Sequence, residues 1–171
     1  MRFGLILVAL LLLACYGAAV SWVVPRVLAI DASARFLQAL TNRQDSLNFD
    51  SVSPELRNGI DKQQFEVAST AARHRLLAVG LGRVTLNGAR LAASPDGRLA
   101  LEGSVDGQPS LMPLTVDFVG PERATVVVQA GGESIASIPL EIGLVRDAIM
   151  WRVVSLSIEE TAAIEPEGTV R

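Results

Sequence analysis

Residues 65–93 read FEVASTAARHRLLAVGLGRVTLNGARLAA, and the fold is decided in the middle of that stretch. Up to Val79 the apolar residues recur at helical spacing, with Phe65, Ala68, Ala72, Leu76 and Val79 on one face. Gly80-Leu81-Gly82 breaks the helix. From Arg83 onward the pattern has period two, which is the repeat of a strand with one buried face. Helices lie upstream of this switch and strands downstream. That order predicts an α+β fold in which helices cover one face of a sheet, rather than the alternation that builds parallel sheets.

Downstream, turn residues cut the chain into successive strands. The first runs from Arg83 to Ala93, followed by the turn Ser94-Pro95-Asp96-Gly97, and the second from Arg98 to Val105. Asp106-Gly107-Gln108-Pro109 turns into Leu111 to Val119, and Gly120-Pro121-Glu122-Arg123 turns into Ala124 to Ala130. Gly131-Gly132 leads into Ile135 to Val145, and Asp147-Ala148 into Ile149 to Ile158. As a two-residue turn, Asp147-Ala148 sets Leu144 opposite Trp151 and Ile142 opposite Val153. Leu140, Ile142, Leu144, Trp151 and Val153 then share the core face, while Glu141 and Arg152 form a solvated diagonal pair on the other. Residues 159–171 are acidic, contain Pro and Gly, and are expected to be a disordered tail.

Upstream, Asp61-Lys62-Gln63-Gln64 reads as a capping box, with Ile60 and Phe65 placed as a hydrophobic staple. Ser53-Pro54-Glu55-Leu56 is a second helix start: Ser53 caps, Pro54 suits the first helical position and Glu55 favours the positive end of the dipole. Gly59 interrupts it. Val27 to Arg43 reads as an amphipathic helix with a stripe of Leu28, Ala32, Phe36 and Leu40, flanked by Leu37 and Ala39. Pro25 is expected to separate it from what precedes by a kink or short break. The predicted architecture is an N-terminal transmembrane helix, then helices packed on a curved antiparallel sheet of about five or six strands. The anchor covers 1–26, the α+β extracytoplasmic domain 27–158 and the tail 159–171.

Phe3 to Val24 carry no charge and as a helix extend roughly 33 Å, enough to cross the hydrocarbon core. A secretory signal has a shorter apolar region, about 7–15 residues, so length favours a retained anchor. Tyr16 and Trp22 suit the interfaces, and Pro25-Arg26 ends the span. Two other readings stay open. Leu12-Leu13-Ala14-Cys15 is similar to a lipobox, which would lipidate Cys15, although the residues after Cys15 remain apolar. Ala19-Val20-Ser21 could be cut by a signal peptidase. All three place the domain across the membrane: a single-pass protein of a bacterial inner membrane with a periplasmic domain. Arg2 favours an inside N-terminus; Arg26, Arg35 and Arg43 argue mildly against it.

The 171 residues carry 15 basic and 18 acidic groups, a net charge of −3, with mean hydropathy +0.38. The arginines are scattered, so no phosphate-binding stripe exists and nucleic acid is excluded as a partner. Cys15 is the single cysteine and His74 the single histidine. Zinc modules, disulfide frameworks and Ser-His-Asp or Cys-His machinery have no residues to draw on. His74, between Arg73 and Arg75, reads as a solvated helix-end residue. Glu102, Asp117 and Glu141 lie on strands but fall in phase with solvated faces. Gly80-Leu81-Gly82 and Gly131-Gly132 are turns, not phosphate loops. No catalytic, cofactor-binding or metal-binding residue is assigned, and no cofactor. In the anchor, Ala14 with Ala18 and Gly17 with Ser21 are small residues four apart, a spacing that lets another membrane helix pack closely.

Three stretches carry a family resemblance. They are Ala34-Arg35-Phe36-Leu37-Gln38-Ala39-Leu40; Ser53-Pro54-Glu55-Leu56-Arg57 with Ile60-Asp61-Lys62-Gln63-Gln64-Phe65; and Ile138-Pro139-Leu140-Glu141-Ile142-Gly143-Leu144-Val145-Arg146 with Trp151-Arg152-Val153-Val154-Ser155-Leu156. Together they resemble the opening helix, the following segment and the closing hairpin of the nuclear-transport-factor-2-like (cystatin-like) superfamily, in particular its lumazine-binding-like bacterial envelope domains. The resemblance implies a helix-covered cone, and a superfold that hosts binding proteins, assembly factors, isomerases and cyclases. The expected function is a membrane-tethered, non-enzymatic accessory or binding subunit. Its partners would be the lipid bilayer and an integral-membrane protein complex. A small-molecule-binding cone is the alternative, and an isomerase- or cyclase-type enzyme ranks third.

Overall fold

The computed structural model describes residues 2–93, 99–130, 138–148 and 150–158. The expected turns at Ser94-Pro95-Asp96-Gly97 and Gly131-Gly132, the start of a strand at Ile135, and the tail 159–171 lie outside the described residues. The fold is α+β, as the switch at Gly80 implies. Five helices, α1 (Arg2–Ala18), α2 (Val24–Thr41), α3 (Asp45–Ser51), α4 (Pro54–Gly59) and α5 (Lys62–Ala78), precede six strands. These are β1 (Val84–Ala93), β2 (Leu99–Val105), β3 (Gln108–Phe118), β4 (Arg123–Ala130), β5 (Ile138–Asp147) and β6 (Met150–Ile158). The strands form one antiparallel meander in chain order, curled around α2.

Pro25 does not break the helix. A π-helical turn at Ala19–Val23 joins α1 to α2. Pro25 lacks an N–H, and its ring would strike the carbonyl four residues back; a wider turn absorbs both defects. α1 therefore continues through the π turn into α2, and the stretch Leu10–Thr41, 32 residues, contains an apolar window of mean hydropathy 1.7. Among the described residues it is the one helix long and apolar enough to span a membrane.

The buried face of α2 is rotated from the expected stripe. Leu28 is 42% exposed, while Ile30, Ser33, Ala34 and Leu37 are buried with Phe36 and Leu40. The helix lies across a curled sheet, so contact falls on a wider and shifted arc than one straight stripe. Ser33 survives in this core because its hydroxyl donates to the Ala29 carbonyl at 3.0 Å.

Helix α3 was not expected, since Asp45–Ser51 has poor helix formers and little periodicity. Tertiary contacts make it. Asn48 is fully buried, with its amide against the Phe36 carbonyl and the Leu40 N–H at 3.0 and 2.9 Å. Phe49 meets Phe65 edge-on, centroids 5.3 Å apart. The capped starts of the next two helices form as read: Ser53 Oγ accepts from the Leu56 N–H, and Asp61 and Gln64 complete the capping box. Helix α5 ends in a Schellman turn, with Gly80 at φ 79°, Gly80 N donating to the Leu77 carbonyl and Leu81 N to that of Leu76. On its core face Phe65, Ser69 and Leu76 are buried, whereas Ala68 is exposed.

The closing hairpin corrects the expected register. Asp147 pairs with Met150, so Trp151 faces Arg146 and Val153 faces Leu144, two residues from the expected pairing. A two-residue slip preserves the side-chain phase. Leu140, Ile142, Leu144, Trp151 and Val153 are accordingly all buried. An irregularity then follows: Gly143 pairs with Ser155 while Leu144 pairs with Val153, leaving Val154 as a bulge. Beyond it Leu156 and Ile158 pack against the core. The Glu141–Arg152 pair does not form. The Arg152 guanidinium instead donates to the Asp50 carbonyl at 2.7 Å and lies 3.7 Å from the Asp147 carboxylate.

Candidate functional site

The two edges of the sheet are treated differently by the chain, and that positions the site. At β1, the last turns of α2 supply side chains to the exposed backbone. Thr41 Oγ1 accepts from the Val84 N–H at 3.2 Å, Asn42 Nδ2 donates to the Val84 carbonyl at 2.8 Å, and Gln38 Oε1 accepts from the Leu86 N–H at 3.3 Å. At β6, one bridge forms: Val52 meets Val153 in parallel, with Ser53 N donating to the Val153 carbonyl at 2.9 Å. Pro54 then turns the chain into α4, and no described strand continues along β6.

Where the chain leaves β6, a groove opens between that edge and the helices, with a volume of about 510 Å³. It is lined by Phe36, Leu40, Val153 and Leu156 and by a wall of Leu56 and Ile60 with Phe65 and the Ala68–Ala72 face of α5. The wall exists because the Ser53 and Asp61 caps fix two short helix starts one after the other. Polar groups in its lining are few: Ser69, which is buried, and Arg75, Ser155 and Ser157, which are exposed. The interior of the cone itself is filled. Ile30, Leu37, Leu101, Met112, Ile142 and Leu144 are fully buried there. A groove of this size, apolar with few polar groups in its lining, suits an apolar guest or an extended segment.

None of the residues weighed for chemistry lines this groove. Glu102, Asp117 and Glu141 are all exposed, on β2, β3 and β5 respectively, and no two of them are cross-strand partners. His74 is exposed at a separate polar cleft of about 520 Å³ with Arg43, Arg73, Arg83 and Asp106. In that cleft Arg73 is paired to Asp45 and donates to Thr70 at 2.7 Å, and Asp106 accepts from the Arg83 N–H at 2.7 Å. Among the described residues no group of His, Cys, Asp and Glu is arranged to hold a metal. Cys15 is exposed on α1, and the Ser21 hydroxyl donates within its own helix to the Gly17 carbonyl at 2.7 Å. The groove itself was not legible in the sequence. The signal that could have pointed to it is the change of phase in β6, from Trp151 and Val153 to Leu156 and Ile158, which places the bulge. No family model, no curated protein and no solved structure matches this chain.

Proposed function

We propose that the chain is a membrane-tethered, non-enzymatic binding subunit. Its β6 edge and adjoining groove would receive an extended, partly apolar segment of an integral-membrane partner. The unextended edge beside an apolar groove carries this reading: main-chain groups of β6 supply affinity, and the groove takes alternate side chains. The single Val52–Val153 bridge already runs parallel to β6, so a guest strand would continue a pairing the chain itself begins. Affiliation with the nuclear-transport-factor-2-like superfamily is supported by the helix-covered, curled sheet. We place the domain on the periplasmic side of a bacterial inner membrane with the anchor retained. The unbroken passage from α1 through the π turn into α2 supports retention.

Purification of the full-length protein in mild detergent should recover a stable partner, and Ala68→Trp at the groove wall should release it while leaving the fold intact. Recovery of monomer alone in both cases would refute the reading. A C-terminal reporter active only outside the cytoplasm should be active; activity of a cytoplasm-only reporter would reverse the topology. Cys15→Ser should leave membrane attachment unchanged and alter the mass only by the sulfur-to-oxygen replacement, whereas loss of a lipid-sized mass would establish the lipoprotein reading. The groove volume also favours a second reading, a small apolar ligand. Organic extraction of the purified protein, followed by mass spectrometry, separates the two.

A further inference from the structure

The end of the domain beside the anchor combines exposed apolar side chains with a charged cavity. Its two hairpin tips expose Val119 (70%) and Met150 (51%), and the first turns of α2 expose Val24, Val27 and Leu28. Apolar atoms exposed together on two loops and a helix, next to a helix of membrane length, imply that this end faces an apolar medium. Among them lies a cavity of about 400 Å³ whose lining includes Trp22, Arg26, Asp117, Phe118, Pro121 and Arg146.

The charged groups of this cavity are held but not neutralised. The Arg26 guanidinium lies 4.4 Å from the Trp22 ring centroid and 5.7 Å from that of Phe118, and donates once, to the Val116 carbonyl at 3.4 Å. Arg146 Nε donates to the Ala148 carbonyl at 3.0 Å. Among the described residues neither arginine is in an ion pair, nor is Asp117. Each guanidinium carries five N–H donors in a fixed fork, so most of them remain available, in the geometry that suits a phosphate. Trp22 stands at the level where the span ends, the position interfacial indoles prefer.

We propose that this cavity holds the headgroup of a bilayer phospholipid: Arg26 and Arg146 take the phosphate, Asp117 takes an ammonium, and Val119 and Met150 rest against the acyl chains. The charges match an ethanolamine phospholipid. The inference rests on the anchor being in the membrane.

The test uses full-length protein in mild detergent, with lipid retention read by native mass spectrometry. The lipids are an ethanolamine phospholipid and a phosphatidylglycerol at equal concentration. The ethanolamine lipid should be retained in preference. Arg146→Gln should weaken retention of both lipids about tenfold, one charge-assisted contact being worth that much. Asp117→Asn should keep retention and lose the preference. Both positions are exposed, and circular dichroism should report an unchanged fold. Unchanged retention in Arg146→Gln, or no lipid on the wild type, would overturn the proposal. Displacement by free phosphoethanolamine would overturn the lipid assignment in favour of a soluble phosphate ester. Release of the protein from membranes by alkaline carbonate would instead sink the anchor on which the proposal rests, and is read independently.

Discussion

At the start of β1, side chains of α2 satisfy the edge at Val84 and Leu86, whereas among the described residues the β6 edge carries one bridge. Gln38, Thr41 and Asn42 do at Val84 and Leu86 what another strand would do, so the start of this edge offers little to a second chain. The β6 edge has backbone groups beside an apolar groove, and among the described residues no such side-chain cover is found along Val154–Ile158. An exposed edge is a hazard for aggregation, which natural sheets ordinarily blunt. This contrast between the edges is what supports the binding face proposed at the second.

The largest expected effect lies at the β6 side. Trp151 is buried and packs on Phe118 at 5.8 Å between centroids. Trp151→Ala should cost about 3–5 kcal/mol, read by thermal unfolding of the full-length protein in detergent. A loss below about 1 kcal/mol would place Trp151 outside the core and break the account of β6. Arg152→Ala comes next, at about 1.5–3 kcal/mol. It removes a charge-assisted bond that holds the α3 backbone to β6 and leaves the Asp50 carbonyl without that donor. The sequence alone places Arg152 on a solvated face and assigns it little, so this measurement sharpens the contrast directly.

At the β1 side, a Cβ on Gly103 would sit 2.6 Å from the Thr85 carbonyl oxygen. Gly103→Ala must push the β1 and β2 backbones apart and should cost about 1–3 kcal/mol. Asn42→Ala removes the cap on the Val84 carbonyl while Thr41 still holds the Val84 N–H, for about 0.5–1.5 kcal/mol. Its sharper readout is hydrogen exchange: protection should fall at the start of β1 and be unchanged along β6. Equal loss at both edges would mean that α2 does not specifically cover β1. The smallest effect belongs to Glu141, exposed and without the Arg152 partner first expected: Glu141→Gln should stay within about 0.5 kcal/mol.

The sequence by itself determined whatever depends on residues within a turn or two of one another. The Ser53 and Asp61 caps, the stop at Gly80 and the uncharged span from Phe3 to Val24 are local, because a cap is satisfied by its own neighbours. So is the turn at Asp106-Gly107, although Gln108 and Pro109, expected within that turn, belong to β3 and pair with Val105 and Ser104. The core face of the closing hairpin was also legible, since alternation fixes phase even when the turn is misplaced by a residue. Tertiary structure alone decided the rest. The arc of α2 that is buried follows from the curl of a sheet lying far along the chain. Helix α3 exists because Asn48 and Phe49 find partners on α2 and α5. The groove, the covered start of β1 and the cavity lined by Arg26 and Arg146 each join groups distant in sequence. Periodicity reports which face a residue takes within its own element; which element that face then meets is fixed by packing, to which local pattern is blind.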